Sequence, residues 1–281
     1  MGLRIGIGGI MGELEPVPVE EFTTEYQLYY DALPVKPSAS IAWAQDLFFK
    51  TLVINGIWDR LDWMPAFAQT TSAGGLINCI NPGTNNPTIV NDPLFTALEG
   101  FTTDGLSKYI NSNWKMITDG VNYTLNDCSF GFYIRNNVAT DEVAMGVRDD
   151  TPGLDQVTYI TPRAVSDGKC YLRCNETMAT YIRALNADSR GMWIGNRTAV
   201  DDYALYKNTM ELISGANVTS NLTDLEFFIG AMNDDGVAAN HTPYQFSMAF
   251  TGGGLTPVQT QVLTNAFEAY MESNGKGVPG I

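Results

Sequence analysis

Acidic side chains are the first residues in this sequence that suggest chemistry, since 31 aspartates and glutamates face only 16 lysines and arginines. Glycoside hydrolysis needs two carboxyl groups about 5 to 9 Å apart, and alternate positions of one strand supply such a pair. The nearest pair is Asp224-Leu225-Glu226, which lacks a third acid and stands where a turn leads into a strand. The sequence therefore predicts no catalytic residue and a protein that is not an enzyme.

Histidine and cysteine are too sparse for a catalytic triad or a closed zinc site. His241 is the only histidine, and no nucleophile-elbow motif accompanies it. Cys170 and Cys174 are four residues apart, but Cys79 and Cys128 lie far upstream, whereas a zinc site needs all four thiolates to converge. We expect buried free thiols at all four positions.

Acidic residues in turns are the candidates for a metal. Calcium takes about six to eight oxygen ligands, and a turn at the rim of a sandwich supplies several of them. Asp234 and Asp235 stand in such a segment, directly before Gly236. They are our candidate calcium ligands, and a solvated turn without an ion is the alternative. No other cofactor is predicted.

Aromatic side chains next to polar ones form a candidate glycan site. Sugars stack their apolar faces on aromatic rings while amides, carboxylates and guanidinium groups bind the hydroxyls. Trp114 and Tyr206 are further aromatic candidates for such stacking. The alternative is that all these rings fill the space between two sheets. The cluster that has both kinds of group, and that we take as the candidate ligand site, consists of Trp193, Asn196, Arg197 and Tyr203.

The charge balance limits the partners. A net charge of −15 without a stripe of lysine and arginine argues against nucleic acid and against an anionic membrane surface. No segment approaches the roughly 20 apolar residues of a membrane span, so we expect no membrane insertion.

Short runs of β-forming residues, separated by turn signals, fill the chain from about residue 127 to 250. In the clearest run, from 128 to 135, the residues at 128, 130, 132 and 134 share one face. Strands at this spacing without helices between them predict a mainly β protein, an antiparallel β-sandwich.

Two helices are expected to flank the sandwich. An apolar stripe from Ser38 to about Asn55 predicts an N-terminal helix, which Gly56 ends as a left-handed cap. Thr256 suits the N-cap of a C-terminal amphipathic helix, with Pro257 at its first position and a capping-box glutamine at 259.

The sequence divides into three predicted parts. Residues 1–24 form an extended N-terminal arm, residues 25–60 a helical segment, and residues 61–281 the sandwich with its closing helix. An apolar arm cannot bury itself, so we expect it to attach to a partner. Its apolar attachment residues are Leu3, Ile5, Ile7 and Ile10.

Three stretches together resemble the laminin-G-like, concanavalin-type jelly rolls found among tailed-phage virion proteins. They are residues 94–111 with Asp104-Gly105, residues 194–208 with Gly195-Asn196-Arg197, and residues 250–256 before the closing helix. The resemblance covers roughly four fifths of the chain. The sequence departs from it after Asn208, where Thr209 replaces the usual glycine and leaves the hairpin type open.

This resemblance implies a non-enzymatic surface protein of a phage particle, as a fibre, decoration or adsorption component. The arm would bind other virion proteins, the sandwich would contact host or environmental glycans, and a homo-oligomer is compatible with such a role. Two alternatives stay open. One is a structural capsid or tail protein without a ligand. The other is a glycan-cleaving enzyme, although the Glu-x-Asp-x-Glu run of the retaining glucanases of this fold is missing.

Overall fold

The protein is described by a computed structural model covering residues 21–151 and 155–278. The predicted attachment residues Leu3, Ile5, Ile7 and Ile10 lie outside the described residues. The helices of the described chain, together with one 3-10 turn at Trp58–Arg60, are α1 (Thr24–Ala32), α2 (Ala39–Ile54), α3 (Ser72–Gly75), α4 (Met116–Asp119) and α5 (Pro257–Ser273).

Strands make up most of the remaining ordered structure. Their bounds are β1 (Leu61–Trp63), β2 (Thr88–Val90), β3 (Leu94–Thr96), β4 (Gly100–Thr102), β5 (Tyr109–Lys115), β6 (Cys128–Ile134), β7 (Met145–Asp149), β8 (Gln156–Thr161), β9 (Lys169–Glu176), β10 (Ile182–Leu185), β11 (Gly191–Ala199), β12 (Asp202–Lys207), β13 (Met210–Gly215), β14 (Glu226–Ile229), β15 (Met232–Asp234), β16 (Val237–Ala239) and β17 (Gln245–Gly252).

The strands form two sheets that pack face to face, which confirms the predicted β-sandwich. The first sheet has the order β13-β12-β11-β6-β17-β4-β3, with β1 added to β17. The second has the order β10-β9-β8-β7-β14-β5-β2, with β15 and β16 at its side. Pairing within the described strands is antiparallel except between β15 and β7, which run parallel.

Two apolar cores lie on the two faces of the first sheet. On β6 the alternation is as predicted, because Cys128, Phe130 and Phe132 face the core between the sheets. Tyr133, which points the other way, packs in a second core beneath α1, α2 and α5. The central strands of the first sheet are therefore buried on both faces.

The two flanking helices begin and end as the sequence predicts. Gly56 follows α2 with a φ of 62°, the left-handed conformation that glycine adopts without strain. At α5 the Thr256 hydroxyl accepts the N–H of Gln259, and the Gln259 side chain accepts the N–H of Thr256, which completes the capping box. Within the described ranges, no helix combines the length and hydropathy needed to cross a membrane.

In the hairpin between β12 and β13, an asparagine takes the turn position where a glycine is usual. Lys207 pairs with Met210, so Asn208 and Thr209 form a two-residue turn. Asn208 adopts a φ of 55°, which asparagine tolerates better than most residues. Its side-chain oxygen also accepts the N–H of Met192 at 2.9 Å, so the turn is tied to β11.

Candidate functional site

The predicted ligand cluster lies inside the protein. Trp193, Arg197 and Tyr203 are 0%, 0% and 1% exposed, and Asn196 is 4% exposed. The two-residue period of strands also divides them, since Trp193 and Tyr203 belong to the inter-sheet core whereas Asn196 reaches the start of α5. The structure does not bring these four side chains together at an open surface.

Arg197 is held by the protein's own carbonyl groups. Its guanidinium donates to the carbonyl oxygens of Cys174 at 2.9 Å, Val200 at 2.8 Å and Asn217 at 3.1 Å. It also stands 4.5 Å from the centre of the Tyr203 ring. With its donors so engaged, Arg197 ties three chain segments together and leaves little for a ligand.

Asn196 and Trp193 have structural partners as well. The Asn196 amide accepts the N–H of Leu255 at 2.7 Å and donates to the Leu255 carbonyl at 2.9 Å. The Trp193 indole donates to the Ser189 carbonyl at 2.8 Å. A small cavity of 220 Å³ borders Asn196 and Tyr203, but the Tyr203 hydroxyl already accepts from Asn217 at 2.6 Å.

The candidate calcium ligands lie in a turn whose carboxylates are engaged. Asp234 forms an ion pair with Arg148 at 3.2 Å, and Asp235 accepts the N–H of Asp150 at 3.0 Å. The hydrogen bond with the Asp235 carboxylate is the largest cause that raises the pKa of Asp150. Slight desolvation and repulsion by the charge of Asp235 raise it further. In the two described ranges, no group of three metal-binding side chains converges.

A different site emerges at one end of the sandwich, where an open cavity of 420 Å³ falls within the size range of ligand pockets. The cavity joins segments far apart in sequence: β1, the loop after α3, the end of β5, and the segment after α4. Its lining residues are Leu61, Asp62, Asn78, Ile80, Asn81, Thr84, Asn85, Trp114, Asp119, Val121 and Asn122. We call this space the asparagine cavity.

One wall of the asparagine cavity is shaped by Asn78, which is 2% exposed. Its side-chain oxygen accepts the N–H groups of Met64 at 3.1 Å and Ile80 at 3.2 Å, and its amide donates to the Thr84 carbonyl at 3.0 Å. The Trp63 indole adds a bond to the carbonyl of Asn85 at 2.8 Å. These bonds fix the loop, and the side chains of Asn81, Thr84 and Asn85 take no part in them.

The opposite wall is fixed by Asp62. Its carboxylate accepts the N–H groups of Val121 at 3.1 Å, Asn122 at 2.9 Å and Tyr123 at 2.8 Å. Asp119 similarly accepts the N–H of Lys115 at 2.8 Å. Both carboxylates therefore hold backbone, and they also give the cavity a negative charge.

Trp114 lines the same cavity and carries an unusual group. The residue is 1% exposed, yet its indole Nε1 is buried without a hydrogen-bond partner in the described structure. Its ring packs in the core, 5.5 Å from Tyr123 and 6.2 Å from Phe227 between centroids. A buried donor without a partner costs about 1–3 kcal/mol, and the contacts of the described residues do not account for this one.

Further polar groups at the rim are unoccupied. Among the described residues, no hydrogen-bond partner reaches the side-chain amides of Asn81 and Asn85 or the hydroxyl of Thr84. Amides donate and accept at once, and a hydroxyl does the same. Beside the apolar side chains of Leu61 and Ile80, they form a surface that suits a polyhydroxylated molecule.

The sequence indicated some residues of this site but not that they lie close together in the fold. Trp114 was a predicted stacking ring. The signal that was overlooked is the high number of asparagines in the loop, at positions 78, 81, 85 and 86. No local sequence pattern predicts that Asp62 binds the backbone of a segment some 60 positions later and holds it against this loop.

No protein-family model and no curated protein matches this sequence. Among solved structures, domain 4 of AbnA, a GH43 extracellular arabinanase from Geobacillus stearothermophilus in complex with arabinotriose, is similar with 14% identity and a TM-score of 0.45. That match covers 73% of this chain and 98% of that domain.

Two further structures are similar over smaller shares. A structure on cell entry of botulinum neurotoxin type C, described as dependent on two ganglioside molecules, has 11% identity and a TM-score of 0.48 over 76% of this chain and 52% of that one. The CBM40 of the Ruminococcus gnavus IT-sialidase has 11% identity and a TM-score of 0.38 over 50% and 83%. At these values the similarities carry no argument about ligand or activity. Any inference about function therefore rests on the cavity of this chain alone.

Proposed function

We propose that this protein is a non-enzymatic glycan-binding sandwich whose site is the asparagine cavity. The observation that carries the proposal is the cavity rim, where the amides of Asn81 and Asn85 and the hydroxyl of Thr84 have no hydrogen-bond partner among the described residues. Sugar hydroxyls match the amides of Asn81 and Asn85, which donate and accept hydrogen bonds at once. The cavity volume of 420 Å³ is adequate for a small saccharide.

Binding without cleavage is part of this proposal. A glycosidase needs one carboxyl group free to donate a proton and another free to attack or to activate water. In the asparagine cavity the Asp62 carboxylate accepts three backbone N–H groups, and Asp119 accepts a fourth. Both carboxylates are thus engaged with the protein's own backbone rather than free for the two roles of a glycosidase.

The setting on a phage particle is also proposed, and its support is the resemblance of residues 94–111, 194–208 and 250–256 to virion jelly rolls. In that setting the arm at residues 1–24 attaches the chain to other virion proteins and the sandwich contacts cell-surface glycans. Loss of particle association after deletion of residues 1–20, with the sandwich still folded, is the expected result. Retention on the particle would contradict the role of the arm.

The experiment for glycan recognition is an array screen of the full chain, followed by isothermal titration with the best-bound saccharide. The double variant Asn81→Ala with Thr84→Ala removes two polar side chains that have no partner in the protein. Because each lost hydrogen bond is worth about 0.5–1.5 kcal/mol, we expect affinity to fall by about tenfold or more. Asn265→Ala on the exposed face of α5 is the matched control and is expected to bind as the natural protein does.

An array without any bound glycan, obtained with a folded protein, would overturn the proposal and favour the purely structural alternative. Release of reducing sugar from a bound glycan would instead contradict the non-enzymatic part. Equal losses in the double variant and in Asn265→Ala would show that the glycan binds elsewhere.

A further inference from the structure

We infer that the asparagine cavity selects uncharged saccharides and rejects glycans that carry sialic acid, sulfate or uronic acid at the bound residue. This inference rests on the proposed function and specifies its substrate class. It follows from the charges that line the cavity, from the ion pairs that the nearest lysine and arginine already form, and from the neutral polar groups that have no partner in the described structure.

The lining carries negative charge only. Asp62 and Asp119 are its charged residues, and no lysine, arginine or histidine is among the described residues that line it. The chain as a whole has a net charge of −15, which adds a repulsive field for anions. Recognition of an anionic sugar usually relies on a guanidinium or ammonium group, which this cavity lacks.

The cations nearest in sequence to the cavity lining are already paired. Lys115, which follows Trp114, lies 3.8 Å from Asp224 and 3.7 Å from Glu226. Arg60, which precedes Leu61, pairs with Asp127 at 2.7 Å and also donates to the Gly254 carbonyl at 3.1 Å. Moving either cation into the cavity would break these contacts, so neither is poised to receive an anion.

The groups that remain available are neutral. The amides of Asn81 and Asn85 and the Thr84 hydroxyl form hydrogen bonds of the kind that sugar hydroxyls satisfy. A carboxylate or sulfate would satisfy some of these donors, but it would also stand beside two aspartates. Like charges brought together without a cation are a general means of rejecting a wrong ligand.

The test uses a fixed panel at low salt: lactose, cello-, malto- and xylo-oligosaccharides as neutral probes, and sialylated lactose, sulfated lactose and oligogalacturonate as anionic ones. Titration of the full chain is expected to show binding of at least one neutral probe. An anionic derivative of a bound neutral probe is expected to bind at least about tenfold more weakly, a gap that narrows as salt screens the charges.

The variant Asp119→Asn removes one charge from the cavity and keeps an oxygen that accepts the Lys115 N–H. We expect it to reduce the neutral-to-anionic affinity ratio at least about threefold, by the loss of one repulsive charge. Glu272→Gln, on the exposed face of α5, removes the same charge outside the cavity and should leave the ratio unchanged.

The outcomes separate the inference from the function on which it rests. Binding of anionic probes as tightly as neutral ones, or more tightly, overturns the selectivity while glycan recognition stands. An unchanged ratio in Asp119→Asn also overturns it, because the repulsion then does not arise in this cavity. Failure of every probe and of the wider array overturns the proposed function itself.

Discussion

The guanidinium of Arg197 lies 3.6 Å from the carboxylate of Glu176, and both side chains are fully shielded from solvent. Glu176 in turn accepts the hydroxyl of Thr180 at 2.8 Å and the amide of Asn217 at 3.2 Å. This buried network joins β9 to β11 across the two sheets. A residue that the sequence suggested as a sugar ligand is thus a structural tie of the sandwich.

Removal of that tie is expected to be costly. Arg197→Leu leaves the Glu176 carboxylate buried without its cation, and breaking such a pair costs about 3–5 kcal/mol of unfolding free energy. Arg190→Leu is the control, because Arg190 pairs with Asp188 on the surface, where an ion pair contributes about 0–1 kcal/mol. Urea denaturation measures both, and equal losses would contradict the structural role of Arg197.

The four cysteines are predicted to be inert thiols in the native protein. All are free and buried, and burial raises the pKa of Cys79 to about 12. Burial also raises the pKa of Cys128, with a further contribution from Cys174, whose sulfur lies 3.5 Å away. Ellman's reagent at pH 8 should therefore detect no thiols before unfolding and four in denaturant without a reductant. Two thiols in denaturant would instead reveal a disulfide.

The capping box of α5 gives a local stability prediction. Thr256→Ala leaves the N–H of Gln259 without its acceptor and is expected to cost about 1 kcal/mol. Thr256→Ser keeps the hydroxyl and should cost much less. Gln259 also donates to the Gly56 carbonyl at 3.1 Å, so loss of the box loosens the contact with the end of α2. Thermal unfolding of the two variants compares them, and equal shifts would contradict the capping role.

Asp104 predicts a pH dependence in the loop between β4 and β5. Slight burial opposes its ionisation, but the N–H groups of Ser107, Lys108 and Leu106 donate to the carboxylate and lower its pKa to about 2. The folded value lies below the unfolded value of about 3.9, so the stabilisation is present above pH 4 and is lost as pH falls towards 2. The difference in melting temperature between the natural protein and Asp104→Ala should shrink over that interval. A difference that stays constant would contradict this role.

The local signals of the sequence predicted much of the fold. The caps of α2 and α5 and the alternation of β6 were confirmed, because each depends on residues within a few positions of one another. The sandwich was expected to begin at residue 61, and its first strand β1 is short: it ends at Trp63, and Pro65 forms only an isolated bridge with Asn78. Proline lacks the N–H that a longer strand would need.

The predicted ligand cluster is buried for a reason of longer range. Alternation on β11 places Trp193 and Asn196 on opposite faces, but it does not tell which face is open to solvent. Helices α2 and α5 cover one face of the first sheet and the second sheet covers the other, so neither is open. The asparagine cavity was missed because it depends on contacts such as that of Asp62 with Asn122, 60 positions later.

The most direct test of the central claim is the indole N–H spectrum of the protein labelled with ¹⁵N-tryptophan during titration with the best-bound neutral saccharide. The chain has five tryptophans, and Trp114→Phe assigns the resonance of Trp114 by its disappearance. We predict that saturation shifts the Trp114 resonance, because Trp114 lines the cavity that the glycan would fill. Saturated binding with the Trp114 resonance unmoved would contradict the placement of the glycan in the asparagine cavity.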